Sequence, residues 1–470
     1  MAKFIGRDQE LLHLEHSYDS EDSHLGVIFG RRRIGKTCLL EKFVSKKRDS
    51  LFFEALEDVS NEQQLNHLQM SLLEQTKDLA LSRFKLQTWD QFFLYLTDFL
   101  QKSPKTKKII IFDELQWLAQ GKAQLISKIK FYWDKQWKQH NVMLVLCRSL
   151  ASFMVANVIR SKALYGRIDF QLNLHPLNPQ ESYKLLNSNR SLKEALLYQL
   201  IIGGIPKYYE WIDRKKSLEW NINQISFMRD GVLLKDFEKT FYKQFKKSTL
   251  YPKIVEVLFQ GPKTLQEISK KLKVTSGGGL KSYLENLALA RIIREEVSIG
   301  KNINSKQKRY QLVDEYLCFY KKFIDPYQSE ISLNNSRDLY SKVVEHQWTS
   351  WTGLAFKRFC INNGEYFAQK LGIKDRLIKF GPYYSSKERV QIDLIFECDR
   401  NVFIICEMKL LNKEVDPSII PIMEAKKAKL QEKFKDYSLE TALIAPFGLS
   451  KSLRATKYFN YTLELKDILL

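Results

Sequence analysis

The sequence predicts an α/β protein built around a parallel sheet, and three observations carry that reading. Short apolar runs alternate with longer amphipathic stretches up to about residue 175. A glycine-containing loop ending in Lys36-Thr37 follows the first run, and a later run ends in Asp113-Glu114. Such alternation is the βαβ rhythm of a sheet covered by helices on both faces.

Leu25–Phe29, Leu51–Ala55, Lys108–Phe112, Val142–Cys147 and Ile168–Leu172 read as buried strands, with helices between them. From about 178 to 250 the pattern is helical throughout, punctuated by Pro179 and by Gly203-Gly204-Ile205-Pro206. Residues 251–312 then read as two short helices, a third after Thr275-Ser276-Gly277-Gly278-Gly279, and strands near Ile292–Val297 and Arg309–Val313. That order suggests a winged helix-turn-helix. An aromatic-rich helical segment (Tyr316, Phe319, Tyr320, Phe323, Tyr327) leads to the last part, with a helix around Trp348–Asn363 and strands at Leu377–Phe380, Val390–Phe396 and Val402–Met408. The expected domains are 1–177, 178–250, 251–330 and 331–470.

The chain has 470 residues, 44% hydrophobic and 13% aromatic, enough apolar material for several cores. A formal charge of +21 favours a polyanionic partner, most often nucleic acid, or else a basic solvated surface. No apolar signal region and no membrane-length run is present, and six scattered cysteines lack ligand-like spacing. A reduced cytoplasmic protein without a structural zinc site is expected.

Gly30-Arg31-Arg32-Arg33-Ile34-Gly35-Lys36-Thr37 fits G-x-x-x-x-G-K-[ST] between a strand and a helix. In such a P-loop the backbone N–H groups cradle phosphates at a helix N-terminus, a lysine adds charge, and the threonine hydroxyl faces Mg²⁺. Candidate nucleotide contacts are therefore Gly30, Arg33, Gly35, Lys36, Thr37 and Cys38, with ATP and Mg²⁺ as cofactors. The strand ending in Asp113-Glu114 supplies the second half of the site: Asp113 holds Mg²⁺ with Thr37, and Glu114 polarises the attacking water. Ser149, after the strand Val142–Cys147, is the candidate γ-phosphate or water contact. Arg167 reads equally as a charge-stabilising arginine or as a structural ion pair.

Phe4-Ile5-Gly6-Arg7-Asp8-Gln9-Glu10, the arginine-rich P-loop, Asp113-Glu114-Leu115-Gln116-Trp117 and Leu164-Tyr165-Gly166-Arg167 together resemble the archaeal-type prokaryotic ATPases of the AAA+/STAND branch of P-loop NTPases. The resemblance covers essentially the whole chain. It implies strand order 5-1-4-3-2, a helical lid, a winged helix and a nuclease-like C-terminal domain. Gly204-Ile205-Pro206 is similar to the lid element of that branch, which implies that Pro206 lies against the adenine. Arg148 departs from the small residue usual there; its guanidinium either acts as a cis arginine finger or crowds the γ-phosphate and slows hydrolysis.

Residues 251–310 carry twelve Lys/Arg against five Glu, a net charge of +7. Lys270, Lys271, Lys273, Thr275 and Ser276 precede the third helix, Lys281 and Ser282 lie on it, and Lys301, Lys306, Lys308 and Arg309 follow. This fits contact with duplex-DNA phosphates, or interdomain packing with a solvated basic face. Farther on, Gln391-Ile392-Asp393 opens one apolar strand, and Glu407-Met408-Lys409 closes the next. Asp followed by Glu-x-Lys is the constellation of the PD-(D/E)XK nuclease fold, with Asp393 and Glu407 as Mg²⁺ ligands and Lys409 acting on the water. Lys357 stands where the first helix of that family supplies a carboxylate. An ammonium there neutralises Asp393 and Glu407 and competes with metal, unless the helix register is displaced by a turn. The expected function is an ATP-binding, ATP-controlled, DNA-associated ATPase with an impaired nuclease-like domain. The alternatives are an ATP-gated Mg²⁺-dependent DNase and a non-catalytic switch acting on a protein partner.

Overall fold

The computed structural model describes residues 4–102, 106–119, 124–149, 164–186, 190–244, 248–301, 307–333, 339–385 and 390–470. The chain divides into two compact units, 1–175 and 176–470.

The first unit is a parallel sheet of β1 (His24–Gly30), β2 (Ser50–Glu54), β3 (Lys108–Asp113), β4 (Val142–Arg148) and β5 (Phe170–Leu174), in the order β2-β3-β4-β1-β5. This is the expected order 5-1-4-3-2 read from the other edge. Every residue of β3 and β4 is buried, as central parallel strands require. Capping boxes at Ser60/Gln63 and Thr88/Gln91 start the helices Asn61–Thr76 and Trp89–Gln101, satisfying N–H groups that have no partner inside the helix. Phe92 and Phe93 pack edge-on against Phe53 and Trp137, and the Trp137 indole N–H donates to Thr97 at 2.9 Å. A buried indole keeps its hydrogen bond in this way. β5 starts two residues later than expected, because Asp169 is used as an anchor: its carboxylate accepts from Leu25 N at 2.7 Å.

The second unit opens with helices that include Pro179–Leu186, Leu192–Ile202 and Val232–Gln244. Helices Leu250–Phe259, Leu265–Leu272 and Gly278–Leu289 follow, with an antiparallel sheet of β6 (Lys263–Thr264), β7 (Ile293–Glu296) and β8 (Arg309–Leu312) in the order β6-β8-β7. The last part is a mixed sheet of β9 (Leu377–Ser385), β10 (Val390–Cys398), β11 (Val402–Met408), β12 (Ser438–Ile444) and β13 (Tyr461–Leu463), ordered β13-β12-β11-β10-β9. One face of this sheet packs Ile392, Ile395, Phe403 and Ile405 against Ile419, Met423 and Leu430 of the helix Ile419–Lys433. β9 runs five residues past the expected Phe380, through Pro382. As an edge strand it needs no N–H there, and the Pro382 carbonyl instead accepts from Ile299 N at 2.9 Å. Among the described residues no helix is long and apolar enough to cross a membrane.

Candidate functional site

The P-loop is shaped by backbone that side chains tolerate poorly. Gly30 has φ +153, and a Cβ there would lie 2.7 Å from the Leu174 carbonyl oxygen. Arg33 (φ 70) and Gly35 (φ 91) are both left-handed, a geometry that turns successive N–H groups toward one point. The helix Lys36–Val44 begins at Gly35 with no side-chain cap hydrogen bond, so its first N–H groups face an anion site directly. Lys36 is buried, and its ammonium donates to the carbonyls of Gly30 at 3.1 Å and Arg31 at 3.0 Å. Burial lowers its pKa below the ordinary lysine value, while the acids Glu114 and Asp113 work against that shift. Cys38 follows on the exposed side of the helix.

β3 brings the second half of the site to the loop. Thr37 Oγ1 donates to Asp113 Oδ2 at 2.6 Å, and Asp113 is fully buried. A hydroxyl and a carboxylate oxygen converging in this way are the hard donors that Mg²⁺ accepts, so the residues fit the cofactor. Glu114 turns off the strand in a left-handed conformation, φ 52 and ψ 43. Its two carboxylate oxygens accept from the Ser149 hydroxyl and the Gln116 amide. Arg148, paired opposite Phe29 at the end of β4, is 2% exposed. Burial pulls its guanidinium down to about 8, against the charge of Glu114.

Two residues mattered more than their sequence context suggested. Arg7, left-handed at φ 65 and buried, donates to the carbonyls of Ile34 at 3.0 Å and His175 at 2.7 Å. It thereby fastens the N-terminal box to the P-loop. Gln116 shares Glu114 with Ser149, and only its distance of two residues from Glu114 hinted at this. Arg167 makes a two-pronged ion pair with Asp134, at 2.7 and 2.9 Å.

Residues 4–210 match the family described as an ATPase domain predominantly from Archaea. Over this segment the chain is similar to that family, and it forms an ATP-binding P-loop ATPase domain. Residues 320–420 match a second family, described as archaeal and bacterial proteins of unknown function. An uncharacterised protein of Methanocaldococcus jannaschii is 27% identical over 415 residues, 86% of either chain. An uncharacterised ATP-binding protein of the same organism is 22% identical over 286 residues, 50% of this chain and 79% of its own. The Walker-type ATPase of Pyrococcus abyssi shares the fold, with a TM-score of 0.51 and 19% identity over 67% of this chain and 95% of its own.

The ATPase domain ends its sheet before Pro206, which lies in the second unit as the first residue of the short helix Pro206–Tyr209. Gly204, two residues earlier, approaches the Leu177 backbone so closely that a Cβ would lie 2.1 Å from its carbonyl oxygen.

Around the third helix of residues 250–312, Lys270, Lys271, Lys273, Thr275, Ser276, Lys281 and Ser282 are exposed. The cations that follow are engaged within the chain. Lys308 pairs with Glu295 at 2.6 Å, and Arg309 stacks 4.1 Å over the Tyr384 ring of β9. Lys301 lies 5.6 Å from the same ring, and the Ser298 hydroxyl accepts from Tyr384 N at 3.1 Å. Lys306 lies outside the described residues.

The C-terminal sheet brings Asp393, Glu407 and Lys409 together and adds two lysines. β10 and β11 run antiparallel with Leu394 opposite Cys406, so one step further Asp393 comes opposite Glu407. Lys357, from the helix Trp348–Asn362, donates to Asp393 Oδ2 at 2.6 Å, and the Gln391 amide donates to Oδ1 at 3.1 Å. Glu407 meets Lys409 at 3.1 Å through Oε1 and Lys426 at 2.5 Å through Oε2. Burial opposes the Lys357 charge, but the Asp393 hydrogen bond and the charges of Asp393 and Glu407 outweigh it and hold its pKa above the ordinary value. Among the described residues no group of three or more His, Cys, Asp or Glu could hold a metal. Two carboxylates whose four oxygens already accept from ammonium and amide groups are a poor fit to Mg²⁺, which demands an octahedron of oxygen ligands. Lys426 went unseen in the sequence because its helix follows the Glu-x-Lys element by a full connection.

Proposed function

We propose that the chain is an ATP-hydrolysing switch with a DNA-facing second unit, and that it does not itself cut nucleic acid. The observation that carries the ATP part is the Thr37–Asp113 hydrogen bond of 2.6 Å beside a lysine anchored on the loop carbonyls. Mg²⁺ would be held by Thr37 and Asp113 and would neutralise charge on the phosphates when bound. Glu114 is the general base, aimed by Ser149 and Gln116. Arg148 is buried at the end of β4 and feels the charge of Glu114, which favours a role inside the protein over that of an arginine finger. Residues 250–312 act as a winged helix whose exposed Lys270, Lys273, Lys281 and Ser282 meet phosphates, while Lys301 and Arg309 pack on Tyr384 instead.

The test is phosphate release with and without duplex DNA, on wild type and on Glu114→Gln. DNA should change the wild-type rate, and Glu114→Gln should bind ATP but lose turnover. Undiminished nucleotide affinity in Lys36→Ala would sink the ATP reading. Absence of a salt-sensitive shift of labelled duplex at low salt would sink the DNA part.

A further inference from the structure

The Asp393–Glu407 centre carries more positive charge than its acids require. Two carboxylates facing each other across a strand pair repel, and a half-buried strand end needs counter-charge for them. Two cations would neutralise the pair, yet three ammonium groups converge: Lys357, Lys409 and Lys426. Glu407 is the most deeply placed member, with its side chain 6% exposed, whereas Lys357 and Lys409 are 37% and 32% exposed. Solvent therefore meets Lys357 and Lys409 before Glu407, while Lys426 and Asp393 are about equally sheltered, at 20% and 23%. Each ammonium has three N–H donors, and a carboxylate uses one of them. A surplus charge with open donors at a partly desolvated strand end costs free energy until an anion meets it.

We propose that this centre is a metal-independent oxyanion site. In it Lys357, Lys409 and Lys426 take the place of a divalent cation on Asp393 and Glu407 and together bind a phosphate oxyanion. The phosphate belongs either to a nucleic-acid backbone or to a small phosphate compound. The nucleic-acid arm rests on the DNA-facing reading above; the cation arm and the small-phosphate arm do not. Neither depends on ATP turnover.

The experiment uses the full chain without nucleotide, in a Lys36→Ala background that weakens phosphate binding at the P-loop. Labelled duplex is followed by anisotropy and inorganic pyrophosphate by calorimetry, with Mn²⁺ binding read by electron paramagnetic resonance. Wild-type duplex affinity should be unchanged by EDTA. Lys409→Gln and Lys426→Gln should each weaken it roughly fivefold and lower the salt slope by about one. Lys409→Arg and Lys426→Arg should retain binding, which separates lost charge from lost folding. If the Gln variants lose pyrophosphate and keep duplex, the ligand is a small phosphate and the site stands. Lys357→Glu should gain Mn²⁺ binding that the parent chain lacks. Mn²⁺ binding by the parent that Asp393→Asn abolishes would overturn the proposal. So would Gln variants that, with the fold intact, leave both ligands unaffected. Nucleotide affinity of the same variants with Lys36 restored should not move, so failure here is distinct from failure of the ATP reading.

Discussion

The Thr37 hydroxyl reaches the Asp113 carboxylate at 2.6 Å across 76 residues of chain, and that bond joins the two halves of the nucleotide site. It forms because β1 and β3 end at the same edge of one parallel sheet, with β4 between them. The loop and the acid are both held by buried backbone, so the pair is set before any ligand arrives.

Lys36→Ala should weaken ATP binding by about 10- to 100-fold, the range of a charge-assisted hydrogen bond of roughly 1.5–3 kcal/mol. Titration with a fluorescent ATP analogue reads this directly. Thermal unfolding should show the fold retained with a modest loss of stability, because the carbonyls of Gly30 and Arg31 lose a buried donor.

Glu114→Gln should leave nucleotide affinity within about twofold and lower the rate of phosphate release by roughly 10²- to 10⁴-fold, the contribution of a positioned general base. Gln116→Ala removes one of the two donors that aim Glu114 and should cost less, with the effect in kcat rather than in KM.

Arg167→Ala should lower the stability by about 1 kcal/mol or less, read as a small drop in melting temperature, because its partner Asp134 is only partly buried. Turnover per folded molecule should stay close to wild type. A loss of several hundredfold in kcat with unchanged melting would show instead that Arg167 acts on the phosphates.

Lys357 gives the packing at the C-terminal sheet an alkaline limit. Its folded pKa lies above the unfolded lysine value, so the stability it contributes is complete below about pH 10 and is lost as pH rises through the folded pKa. Thermal unfolding between pH 8 and 12 should show a drop at the alkaline end for the wild type. The drop should be smaller in Lys357→Met.

The nucleotide site was legible because its chemistry is local. Gly30, Lys36 and Thr37 sit at fixed spacing around one strand-to-helix turn, and Asp113 ends a short run of β-branched and aromatic residues, Ile109 to Phe112, that forms a buried strand. Beyond the local motifs, legibility fell off. β12 and β13 escaped the sequence reading because their burial comes from neighbours: β12 lies parallel to β11, and its first residues, Ser438 to Glu440, stay outside the core. The boundary of β9 was missed because proline is a strand stop except at a sheet edge, and being an edge is a property of the whole sheet.

The amino-acid sequence by itself determined the P-loop, the acid-ended strand, the strand order through its resemblance, and the presence of Lys357 beside the Asp and Glu-x-Lys strands. Those features depend on side-chain type and on spacing along a few residues. Only the tertiary structure decided that Arg167 is tied to Asp134, that Arg309 is stacked on Tyr384, and that Lys426 joins Lys409 on Glu407. A long cation reaches whichever acid or ring the packing brings within a few ångströms. The packing is settled by the cores of whole sheets, and no single segment encodes it.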